Sequence, residues 1–194
     1  MKYSNQVQFL RSVVDLDGYA SSANWIGFFE SKNKDKDFDK SDVVISLFDK
    51  MIGFRLKEAV LICAFIIRSY AWNDDQSIER DKQERIANNL ESRKWTLSVF
   101  NDDKDFENIQ PFSLLYDEDI NSINELIWLV LNGFTYGHVF LVWEDLDLIL
   151  YPHMDCGFGF LAPKNSYGYQ IAMDFFDVVE NNVLFNVYRN FKSD

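Results

Sequence analysis

The longest apolar run in the chain, Ala59 to Ile67, has no polar side chain to turn towards water, so the fold must be built around it. It is less than half the roughly 20 residues needed to cross a bilayer, which makes it core material and not a membrane span. Taken with its flanks, Leu56 to Trp72, it reads as a helix buried on most of its surface, the central helix of the fold. Cys63 lies inside the run and reads as a small buried thiol. With Cys156 as the only other cysteine, a disulfide framework is ruled out as the stabilising device.

A buried helix needs neighbours on every side, and the rest of the first half reads as further helices. Val7, Leu10, Val13 and Val14 recur at helical spacing within Gln6 to Val14, and Trp25, Ile26 and Phe29 mark a short helical turn over Ala23 to Phe29. Lys32 to Lys40 alternates Lys and Asp as a solvated loop does. Ser41 is placed to cap a helix carrying Val44, Ile45, Phe48 and Ile52 and ending at Gly53. Asp75 to Arg93 reads as an exposed helix anchored by Ile78, Ile86 and Leu90.

Beyond Lys94 the apolar period shortens to two, as Trp95, Leu97 and Val99 alternate with Thr96 and Ser98. Asn101 to Gln110 reads as a loop and Phe112 to Tyr116 as a strand. A helix capped by Asp119 or Asn121 then stops at Gly133. His138 to Trp143, Leu146 to Tyr151 and Phe158 to Leu161 read as a three-stranded meander, followed by a helix over Ile171 to Val179 and a last strand, Val183 to Tyr188. The expectation is one α+β domain over residues 1 to 194, with a helical N-terminal layer (1 to 94) packed on a mostly antiparallel C-terminal sheet (95 to 194). The first residues, Met1-Lys2-Tyr3-Ser4-Asn5-Gln6, lack the basic stretch and apolar core of a secretory signal, so a cytoplasmic protein is expected.

Charge divides the same two regions. Residues 1 to 94 carry 15 basic and 15 acidic side chains, while residues 95 to 194 carry 4 and 16, so the whole net charge of −12 lies in the second half. Its carboxylates cluster at Asp102-Asp103, Asp105 and Glu107, at Asp117-Glu118-Asp119, and at Glu144-Asp145 with Asp147. Such a field attracts cationic partners and speeds their association. It argues against nucleic acid as a partner, because phosphates call for a basic surface.

Tyr151-Pro152-His153-Met154-Asp155-Cys156-Gly157-Phe158-Gly159-Phe160 is the stretch where chemistry is best sought. A cysteine- or metal-dependent hydrolase is the enzymatic alternative it offers, with His153, Asp155 and Cys156 as the reacting or ligating groups. Asp155-Cys156 is similar to the start of the Asp-Cys-Ser-Gly of the NlpC/P60 peptidases, but Gly157 stands where Ser is required and no His follows Cys156. His138, His153, Asp155 and Cys156 match no metal-ligand spacing. Gly157-Phe158-Gly159 lacks the third glycine of a phosphate-binding loop, so no cofactor is expected. The structural alternative is a hydrogen-bonded turn in which Gly157 and Gly159 make room for close strand packing.

In its size, acidity and aromatic content, with eighteen Phe, nine Tyr and five Trp, the chain resembles the immunity proteins of bacterial toxin systems, contact-dependent growth inhibition among them. The segment Trp143 to His153 is similar to the strand and turn of several such small α+β proteins. The resemblance implies a non-enzymatic inhibitor whose partner is a basic toxin domain such as a nuclease, neutralised by occlusion of its active site. The candidate contact residues are Asp117, Glu118, Asp119, Glu144, Asp145 and Asp147, with Tyr116 and Trp143 as aromatic anchors and Tyr151 and Phe158 as further ones. A general interaction module without a toxin partner is the third reading.

Overall fold

The central segment forms a strand. The computed structural model describes residues 4–32, 38–68, 77–96, 98–99, 110–114 and 116–190. In it Val60–Ile67 (β2) lies between two neighbouring strands, and all eight of its residues are buried. Leu61, Cys63, Phe65 and Ile67 enter one apolar cluster, while Val60, Ile62 and Ala64 enter another on the opposite face. An unbroken apolar run suits a strand covered on both faces as well as it suits a buried helix, and apolar periodicity does not separate the two. Its length and its β-branched residues favour the strand.

Ala23 to Phe29 departs from expectation in the same direction, for a different reason. Trp25–Ser31 (β1) carries a register shift between Trp25 and Gly27. The irregularity puts Ile26 and Phe29, three residues apart, in the same cluster, so a bulged strand imitates the spacing of a helix.

The remaining strands are Ser98–Val99 (β3), Gln110–Ser113 (β4), Thr135–Trp143 (β5), Leu148–His153 (β6), Gly157–Leu161 (β7) and Phe185–Arg189 (β8). One eight-stranded sheet runs β3-β2-β5-β6-β7-β1-β8, and β4 pairs with β2 as well. β3 and β4 take successive stretches of one edge of β2, at Ile66–Ile67 and Val60–Cys63. Among the described residues only the β2–β3 pair is parallel. The fold is α+β with a mostly antiparallel sheet, and two of its strands come from the first half of the chain.

Four helices, Phe38–Met51 (α2), Ser77–Ser92 (α3), Tyr116–Leu131 (α4) and Tyr167–Glu180 (α5), cover one face through residues such as Phe48, Ile86, Trp128 and Phe175. Ser4–Val13 (α1) and the residue after it cover part of the other with Leu10 and Val14. Helix starts differ from the sequence reading. Ser41 lies within α2 and gives its hydroxyl hydrogen to Asn132 Oδ1 at 3.1 Å, and Asp119 and Asn121 both lie within α4. Gly133 does end α4: at φ 71 it lets Phe134 N–H reach Leu129 O and its own N–H reach Val130 O. Of the expected loop Asn101 to Gln110, residues 101–109 fall outside the described residues and Gln110 begins β4.

Glycines at two positions of β7 set how closely neighbouring groups approach it. A Cβ on Gly159 would stand 2.0 Å from Tyr151 Cζ, and one on Gly157 would stand 1.7 Å from the backbone oxygen of Phe29. Gly157→Ala is therefore expected to cost about 3 kcal/mol or more, since a backbone must move, whereas Gly18→Ala, with its nearest atom at 3.6 Å, should stay within about 0.5 kcal/mol. Urea unfolding of the two variants checks this, and equal midpoints would contradict it.

Candidate functional site

Strand register brings two carboxylate clusters to one end of the sheet. Ser113 lies beside Val60, and Val60 beside Val142. The chain leaves Ser113 and starts α4 at Tyr116, and it leaves Val142 for the turn Glu144-Asp145-Leu146-Asp147. The strands that lead into the two acidic segments thus end about 10 Å apart, two strand spacings, and Glu58 stands two residues before β2, the strand between them. Arg55 and Lys57 stand in the same short 3-10 segment as Glu58, and Arg55 pairs with Glu58 at 3.7 Å.

The turn between β5 and β6 presents its carboxylates on a fixed frame. Leu146 is buried, Asp147 N–H donates to Glu144 O at 3.3 Å, and Gly168 N–H of α5 donates to Leu146 O at 2.8 Å. Asp147 holds φ 53, a conformation Asp and Asn adopt more readily than most residues. Glu144, Asp145 and Asp147 are all exposed, and none takes part in an ion pair among the described residues.

Several other candidates are committed to the interior. Asp119 is buried and paired with Arg93 of the turn after α3, whose guanidinium also donates to Glu118 O at 3.0 Å. Glu125 of α4 is paired with Arg85 of α3. First-half cations therefore neutralise second-half acids, so the two halves are not electrically separate. Trp143 is wholly buried, with its indole N–H donating to Arg55 O at 2.9 Å, and Tyr151 and Phe158 are core residues. None of these three is an accessible anchor. Glu118 is exposed, while the side chains of Tyr116 and Asp117 lie outside the described part.

The His153–Cys156 stretch does form the turn from β6 to β7, but it does not assemble a dyad. His153 lies on the face of Tyr151 and Phe28, with ring centroids 6.3 and 5.5 Å away. Cys156 packs against the opposite cluster, its sulfur 3.9 Å from Ser41 Oγ. His153 Nδ1 is 3.9 Å from Asp155 Oδ2, beyond hydrogen-bonding distance. Among the described residues no three His, Cys, Asp or Glu side chains converge as a metal site requires.

At the opposite end of the sheet β5 and β6 part. Their register ends at Leu141 with Leu150, although β5 stays paired to β2 as far as Thr135 and β6 to β7 as far as His153. The break falls beside Pro152, which remains in register with Phe158 of β7 and has no N–H to give to a ladder. Tyr19 fills the fork, its ring 5.2 Å from Phe140 and 4.6 Å from Tyr151, and its hydroxyl shares a 2.7 Å hydrogen bond with His138 Nδ1. Beyond it opens a cleft of about 320 Å³ holding both histidines of the chain. Sequence reasoning missed this cleft, although Pro152, directly after the expected strand Leu146 to Tyr151, was a signal that strand pairing stops there.

No family model, curated protein or solved structure matches the chain. Among the described residues no helix is long and apolar enough to cross a membrane.

Burial pushes the His153 imidazole down to about 4, against the opposing pull of the Asp155 carboxylate and the Phe29 carbonyl. Unfolding restores a value near 6.5, so the unfolded chain binds the extra proton first. The contribution of neutral His153 to stability is complete above pH 6.5 and is lost as pH falls towards 4, by about 3 kcal/mol. Subtracting the pH–stability curve of His153→Gln from that of the parent protein should show this loss; parallel curves would contradict it.

Proposed function

We propose that the protein is an immunity-type inhibitor that binds a basic protein domain, such as a nuclease toxin, and occludes its active site. The observation that carries this reading is the acidic end of the sheet, where β4 and β5 both finish, the one leading to the exposed Glu118 and the other to the exposed Glu144, Asp145 and Asp147, which have no ion pair among the described residues. A cleft built to accept phosphates attracts such carboxylates, whereas nucleic acid itself is repelled by them. Exposed pairs contribute only about 0.2 to 1 kcal/mol each, so a tight complex also needs an aromatic anchor. Tyr167 supplies it in place of Trp143. It is 59% exposed at the start of α5 against the same turn, with the Arg55 guanidinium 5.4 Å from its ring centroid.

The test uses the polypeptide encoded beside this chain as the partner, with cell survival and association kinetics as readouts. The chain should protect cells expressing that polypeptide. The triple variant Glu144→Gln, Asp145→Asn, Asp147→Asn should slow association about tenfold at low salt, and the parent's association rate should fall steeply with added salt. Tyr167→Ala should act mainly on dissociation. Failure to protect, or binding indifferent to both salt and the triple variant, would overturn the proposal.

A further inference from the structure

The cleft between β5 and β6 is unusual for a protein with 26% charged residues, because among the described residues no Asp, Glu, Lys or Arg lines it. Its walls include Tyr19, Tyr136, His138, Pro152, His153 and Met154. Tyr136 is steadied by the Arg68 guanidinium 4.4 Å from its ring centroid. Rings, a proline and a thioether present flat, polarisable surfaces, which suit a planar ring better than a branched aliphatic group. A few polar groups stand among them: the Thr135 hydroxyl, the His138 imidazole fixed through Nδ1 by Tyr19, and the β5 backbone edge that β6 leaves open. Small-molecule sites commonly combine apolar walls with a few such groups, and about 320 Å³ is near the lower end of their range.

We propose that this cleft is a binding site for an uncharged planar aromatic group carrying one hydrogen-bonding substituent. The group belongs either to a free small molecule or to a tyrosine or tryptophan side chain of another protein. Burial lowers the proton affinity of both histidines, so the walls stay neutral at neutral pH and oppose an ionic ligand. This site lies at the far end of the sheet from the acidic rim and does not depend on the inhibitor reading.

The experiment is an NMR titration of the full chain with p-cresol, indole, phenyl phosphate, cyclohexanol and the capped tripeptide Gly-Tyr-Gly. Saturable shifts are expected at the His138 and His153 ring protons and the Met154 methyl with p-cresol or indole. Cyclohexanol and phenyl phosphate should bind at least about tenfold more weakly. Tighter binding of the tripeptide than of p-cresol identifies a protein side chain as the ligand, and weaker binding identifies a free small molecule. Met154→Glu, at a position 66% exposed and so compatible with folding, should weaken p-cresol at least about tenfold. Absence of saturation, equal response to cyclohexanol, or an unaffected Met154→Glu variant would each overturn the proposal.

Discussion

The two-sided burial of β2 is the constraint from which the architecture follows. A strand with Leu61, Cys63, Phe65 and Ile67 on one face and Val60, Ile62 and Ala64 on the other tolerates water on neither. Burial of each large aliphatic or aromatic side chain contributes about 1.5 to 3 kcal/mol, so exposing either face would cost more than a domain's usual margin of stability. One face is met by α2, α3, α4 and α5, while α1 meets the other over β2 and its neighbours through Leu10 and Val14. Edge groups are treated the same way, since β3 and β4 together cap the side of β2 that β5 leaves free. Placing β2 at the interior of the sheet also fixes where Ser113 and Val142 end, and through them where the acidic segments emerge.

The second face is organised by what β7 lacks. Gly157 and Gly159 bring the carbonyl of Phe29 and the ring of Tyr151 close to the β7 backbone, so at these two positions the neighbouring strands fill the space beside β7, and Leu161 is the side chain it adds to this cluster. The Trp25 indole donates to the Tyr151 hydroxyl at 3.0 Å and helps hold that ring down. β6 does not pair onward with β5 beyond Leu150, and Tyr19 enters the space beside Pro152.

Much of this was legible in the sequence, and the failures have definite causes. The meander β5-β6-β7, the last strand and helices α1, α3, α4 and α5 follow from apolar periodicity, and Gly133 ends α4 as its position suggests. β2 was misread because its burial on both faces erases the period that distinguishes helix from strand. β1 was misread because its bulge mimics a helical one. Clustered carboxylates were visible, but Asp119 and Glu125 showed no sign in local sequence that Arg93 and Arg85, 26 and 40 residues away, would neutralise them. Tertiary pairing separates the exposed acids from the structural ones, and linear spacing does not. Tyr19 and His138 meet across 119 residues, a distance no motif spans.

Net charge is a poor guide to the chemistry of any one place on this molecule. If the field of −12 charges governed the cleft, its histidines would be drawn towards protonation. Both are pushed the other way, with burial as the leading cause and Asp17 or Asp155 opposing it. Low-polarity walls outweigh nearby carboxylates there, and more distant charges are screened beyond about 8 Å at physiological salt. At the other end of β5 the balance reverses, because Glu144, Asp145 and Asp147 sit in water and keep their charge outward. The same hairpin therefore presents a charged turn at one end and, at the other, a fork with no charged lining residue among the described residues.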